Sequence, residues 1–97
     1  MTSNYFKPLK NLTFATVNLE RDNFAALIAK EQGSQIHCDL MDVQLCDSAG
    51  LAFLMDARRM CHQKNLKLLI ANAPVDMLAL AKLYGIDNLL KNNESHS

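Results

Sequence analysis

Two apolar stretches, "IHCDL" (residues 36–40) and "LKLLIAN" (residues 66–72), stand on either side of the longest helical pattern in the chain, "SAGLAFLMDARRMCHQKN". This strand–helix–strand order is the strongest constraint on the fold. A connection of that length that carries its own helix joins parallel strands, and the helix packs back onto the sheet they form. Within the helical pattern Phe53, Leu54, Ala57, Met60 and Cys61 fall on one face. Arg58, Arg59, His62 and Lys64 fall mostly elsewhere, with the cations toward the C-terminal end, where the helix dipole favours them.

The rest of the chain extends the same rhythm. "LTFATVNL" (residues 12–19) is rich in strand-favouring types and predicts a first strand, with Leu12, Phe14 and Thr16 on one side and Thr13, Ala15 and Val17 on the other. In "ERDNFAALIAKEQGS", Asp22 or Asn23 can cap a short helix; Phe24, Leu27 and Ile28 recur at helical spacing, and Gly33 is a stop signal. "MDVQLCD" is expected to be a loop. Pro74 suits the first position of a last helix that runs to Gly85, with Met77, Leu78, Ala81 and Tyr84 as its core face. "IDNLL" adds a short apolar piece. The predicted order is β-α-β-α-β-α, an α/β fold with a mostly parallel central sheet and helices packed against it. One domain is expected over residues 1–97, with an ordered core at about 12–90 and polar tails at 1–10 and 91–97.

Charge and composition exclude several functions. Ten Lys+Arg balance ten Asp+Glu, so no broad field draws the protein to nucleic acid or an anionic bilayer. Trp is absent and aromatic residues are few, which leaves no base-stacking platform. The start "MTSNYFKPLKNL" lacks an apolar h-region, so no secretory signal is expected, and no apolar run approaches a membrane span. Cys38, Cys46 and Cys61, with His62, lack the paired spacings of a zinc site; buried, reduced thiols in a cytosol are expected, with no metal and no cofactor.

The segment "LCDSAGLAFL" places Ser48 beside Asp47 where strand gives way to helix. Either residue can be the helix N-cap, a contribution of about 1 kcal/mol. A hydroxyl there can also accept a phosphoryl group, because backbone amides and the positive end of the dipole lie close by. "CDSAG" contains half of the G-x-S-x-G nucleophile elbow, with Cys46 in place of the first Gly. A hydrolase also needs a base. His37 lies in a preceding strand, His62 roughly 20 Å along the helix at 1.5 Å per residue, and His96 in the tail. No enzyme activity is expected.

These residues carry a family resemblance. "DSAGLAFLMDARRMC" resembles the D-[ST]-x-G-L motif of STAS domains, the fold of anti-sigma-factor antagonists, and follows a short strand with an acidic end as it does there. "NLKLLIANAPVDMLALAKLYGIDNLL" resembles the family's later strand, helix and closing segment. The likeness covers about residues 36–90; the family's G-E-L-D turn is absent, with "NLERD" near its place. Within the family "MLALAKLYGI" looks most like the Mla-type branch, the small cytosolic partner of an ABC ATPase in a Gram-negative phospholipid transporter.

The resemblance implies a STAS fold and a binding role. Ser48 then matches the position that is phosphorylated in the antagonists and that touches the partner, and in the Mla-type branch the matching hydroxyl lies at the ATPase interface. Asp47 would shape the loop and cap the helix, and Gly50 would let a partner backbone approach. Leu51 and Met55 are either ordinary core or an apolar anchor rimmed by Arg58 and Arg59; Leu80 and Leu83 raise the same question. The implied function is a non-catalytic cytoplasmic subunit, peripheral to the inner membrane through its partner. It would bind and stabilise the ATPase of a transport system that maintains outer-membrane lipid asymmetry. The alternative is an anti-sigma-factor antagonist that binds an anti-sigma kinase and is switched at Ser48. Neither reading involves nucleic acid or direct membrane insertion.

Overall fold

The computed structural model describes residues 5–8 and 10–90. The expected polar tail at 91–97, with His96, lies outside the described residues, as do residues 1–4 and Leu9. Among the described residues five short strands, three helices and a closing 3-10 turn follow one another: β1 (Tyr5–Phe6), β2 (Lys10–Leu12), α1 (Val17–Lys30), β3 (Gln35–Asp39), β4 (Val43–Cys46), α2 (Ser48–Gln63), β5 (Lys67–Ala71) and α3 (Val75–Leu83), then Asp87–Leu90.

Among the described residues every strand pairing is parallel, as the crossovers require. One sheet has the order β1-β3-β5, with Phe6 opposite Cys38 and Cys38 opposite Ile70. A smaller one pairs β2 with β4, with Leu12 opposite Cys46. Along β3 the side chains alternate: Ile36 and Cys38 are buried, while Gln35, His37 and Asp39 are half-buried on the other face. The buried face meets α1 and α2. Phe24 of α1, Phe53 of α2 and Phe6 of β1 form an aromatic cluster, with the Phe6 and Phe24 rings edge to face at 5.1 Å.

The chain ends its later helices with the same device. After α2, Asn65 takes a left-handed φ of 58°, Asn65 N–H donates to the His62 carbonyl and Leu66 N–H to the Cys61 carbonyl. After α3, Gly85 at φ 72° repeats the pattern, with Gly85 N–H on Lys82 and Ile86 N–H on Ala81. Both are Schellman ends, which satisfy the last carbonyls and turn the chain sharply. Pro74 is the N-cap of α3, one residue outside the helix in which it was expected.

Several expectations are corrected. The strand predicted over residues 12–19 ends at Leu12, and Thr13 to Thr16 fold into a turn that leads directly into α1. The Thr16 hydroxyl drives this change: it accepts from Thr13 N–H (3.0 Å) and donates to the Asn11 carbonyl (2.9 Å). Such local side-chain bonds offer the backbone an alternative to a ladder. In consequence α1 starts before Asp22 and Asn23, and it stops at Lys30 rather than at Gly33. The "MDVQLCD" loop contains strand β4, and the polar start contains β1. On α3 only Met77 and Ala81 of the predicted core face are buried, whereas Leu78 and Tyr84 are exposed.

Candidate functional site

The start of α2 is built around one carboxylate. Asp47, in extended backbone, is the N-cap: its Oδ1 accepts from Ala49 N–H (2.9 Å) and Gly50 N–H (3.2 Å). Its Oδ2 accepts a third bond, from Phe14 N–H at 3.1 Å. One side chain therefore caps the helix and ties the turn after β2 to it. The capping task belongs to Asp47, so Ser48, the first helical residue, is left with an exposed side chain.

Gly50 and Leu51 point inward. A Cβ on Gly50 would lie 2.3 Å from the Leu12 carbonyl oxygen, so the glycine is needed for α2 to approach this chain's own β2. Leu51 is 2% exposed and belongs to the core. Gly50 thus faces this chain's own backbone, and Leu51 takes the core alternative of the two that the sequence left open. Met55, in contrast, is 49% exposed. Ser48, Ala52, Met55 and Arg59 recur every three or four residues and form one exposed stripe along α2. Arg59 is paired with Asp56, whose other oxygen meets Arg21 of α1 at 3.1 Å; Arg58 is exposed. Leu80 is half-buried against the core, and Leu83 is 75% exposed.

Two exposed apolar residues near Ser48 escaped the sequence reading. Phe14 is 81% exposed on the turn that Asp47 holds, and no spacing signals a contact across 33 positions. Leu45 is exposed within β4, in the segment expected to be a loop.

The thiols divide by burial. Desolvation, with smaller contributions from Asp39, Cys61 and Glu20, pushes Cys38 up to about 12. Burial pushes Cys61 up to about 11. Cys46 is only half-buried; its thiol is raised by desolvation and then by Asp76 and Asp47. Among the described residues no group of three His, Cys, Asp or Glu is arranged to hold a metal ion. The His37 ring is stacked on Tyr5 at 4.8 Å in the sheet. Among the same residues, no helix is long and apolar enough to cross a membrane.

An α/β domain with parallel strands and a D-S-x-G-L helix start defines the STAS class. The chain belongs to the STAS-domain family: the sequence model described as "Mlab, STAS domain" matches residues 11–91. A named relative is the intermembrane phospholipid transport system binding protein MlaB of Haemophilus influenzae, 35% identical over 57 residues, or 59% of this chain. The match covers 54% of that protein, so the chain spans about half the length of the relative it matches. In structure the chain is similar to a sulfate transporter family protein from Wolinella succinogenes (TM-score 0.72, 13% identity, 94% of this chain and 73% of that one). It is equally similar to the anti-sigma factor antagonist SpoIIAA in its unphosphorylated form (TM-score 0.73, 13% identity, 92% and 80%). At such identities these two likenesses concern the fold alone.

Proposed function

We propose that this chain is a non-catalytic STAS subunit that binds and stabilises the ATPase of an ABC phospholipid transport system, one that maintains outer-membrane lipid asymmetry. It would act in the cytoplasm, held at the inner membrane through that partner. The observation that carries the reading is the Mla-type family match over residues 11–91, in line with the phospholipid-transport name of the Haemophilus relative. The site supports a binding role. Ser48 offers a small exposed hydroxyl on a helix start that its own N-cap already satisfies. Ala52 and Met55 continue that surface, and the Phe14 amide is bonded to the capping Asp47 next to it.

A second reading starts from the exposed Ser48 in the D-S-x-G-L motif: it suits an antagonist that binds an anti-sigma kinase and is released by phosphorylation. Affinity capture of the tagged chain from native lysate, identified by mass spectrometry, separates the two. Co-purification of an ABC ATPase with its permease supports the transport reading. Recovery of a kinase of the anti-sigma type, with no ATPase, overturns it.

A further inference from the structure

α3 is apolar on both of its faces, unlike a helix whose outer side is kept for water. Its fully buried residues, Met77 and Ala81, meet the core. At about 100° per residue, the exposed Ala79 lies opposite them, at the centre of the outer face. Val75 and Leu83 flank Ala79 at about 40° on either side, and they are 78% and 75% exposed. Asp76 and Lys82 stand about 60° to either side, on opposite flanks. They are the only charged residues of the helix, and among the described residues neither has an ion-pair partner. The outer face therefore reads alike in both directions from Ala79, a charge at the third residue and an apolar side chain at the fourth, with the sign of the charge reversed.

We infer that this face is where two copies of the chain meet, with their α3 helices antiparallel about a two-fold axis at Ala79. In such an isologous contact residue i of one copy meets residue j of the other, and the reverse. Asp76 of each copy then stands across from Lys82 of the other, and Val75 of each packs on Leu83 of the other. Ala79 meets its own counterpart, where a small side chain lets the helices come close. A parallel pairing would instead set Asp76 against Asp76 and Lys82 against Lys82, which like-charge repulsion disfavours. The charges thus select both the partner, a second copy, and its direction. The helix has nine residues, which at 1.5 Å each give a contact only about 13 Å long. That is below the standard interface size, so the dimer is weak, in the micromolar to millimolar range.

Sedimentation equilibrium of the whole chain over that concentration range, beside melting curves, tests this. Wild type is expected to dimerise. Asp76→Lys and Lys82→Asp each turn two attractive pairs into two repulsive ones. Each alone should weaken dimerisation roughly tenfold, since an exposed pair carries a few-fold. An equimolar mixture of the two variants should associate like wild type, because their changes complement each other across the axis, and so should the double variant. Ala79→Arg puts a good helix former at an exposed position, so it should melt like wild type and yet abolish the dimer. A wild type that stays monomeric throughout overturns the inference. In that case a loss of ATPase binding in Ala79→Arg gives the face to that partner, and co-sedimentation of wild type with phospholipid vesicles gives it to a membrane surface. The inference is equally overturned if the mixture associates no better than the single variants, or if Ala79→Arg dimerises like wild type.

Discussion

Replacing Gly50 by Ala sets two effects against each other. In an exposed helix the change is favourable by about 1 kcal/mol, because Ala has the higher helix propensity. Here the new methyl would sit 2.3 Å from the Leu12 carbonyl oxygen and 3.3 Å from its carbon. The first distance is far inside van der Waals contact, and the obstacle is backbone, so no side-chain rotation relieves it. Leu12 is held in turn by its pairing with Cys46 in β4 and is itself fully buried. Separating α2 from β2 therefore disturbs the small sheet as well. Overpacking of this kind costs about 1–3 kcal/mol, and a rigid obstacle puts it at the upper end. The net expectation is a loss of about 1–2 kcal/mol, or a fall in Tm of roughly 4–16 °C for a domain of this size. Ala52→Gly, on the exposed side of the same turn, is the control, and should lose about 1 kcal/mol through propensity alone. Urea melts of the three proteins, compared by midpoint and slope, give the values. A Gly50→Ala protein as stable as wild type, or more so, would refute the claim that this glycine serves the contact with β2.

Three further outcomes are expected. Asp47→Ala should cost about 2 kcal/mol in thermal or urea unfolding, whereas Asp47→Ser should cost less, about 0.5–1.5 kcal/mol, since Ser retains the cap and loses the Phe14 bond. In native protein a thiol reagent should label Cys46 first and Cys38 and Cys61 slowly, with all three fast in denaturant; rapid native labelling of Cys38 would contradict its place in β3. Asp39 accepts from the Asn72 side chain and then from Met41 N–H, which lowers its carboxyl below the usual range. A depressed folded-state value means stability that is present above the unfolded carboxylate range and lost as pH falls through the folded one. Asp39→Asn should therefore flatten the acid limb of a stability–pH profile, and an unchanged limb would count against the Asp39 contacts.

How much could be read from the sequence follows from the range of the forces involved. β3, α2, β5 and the buried Met77–Ala81 stripe of α3 were legible, because one-sided burial leaves a periodic imprint within a dozen residues. The Schellman end at Gly85 was legible from glycine itself. Residues 13–19 were not: Thr13, Thr16 and Val17 have strand propensity, but hydroxyl bonds closed a turn there and burial of Phe24 and Ile28 set a helix. β4 is too short and too exposed for alternation to show. At the site, position before an apolar helix narrowed the cap to Asp47 or Ser48, and the family resemblance pointed to Asp47. The Phe14 bond and the packing of Gly50 on Leu12 were not, because both join segments more than thirty residues apart.

The central claim is that the chain works by binding through the surface at Ser48. Ser48→Asp places a second carboxylate beside Asp47, where the isolated helix tolerates an acid near its N-terminus. A partner that covers the position must bury that charge, which is expensive without a cation to meet it. Wild type, Ser48→Ala and Ser48→Asp should be compared in binding to the co-purifying ATPase, beside their melting curves. The account predicts near-wild-type melting for all three. It predicts a loss of about 0.5–1.5 kcal/mol in binding for Ser48→Ala and abolished binding for Ser48→Asp. Full binding by a well-folded Ser48→Asp protein would contradict it and move the interface away from the start of α2.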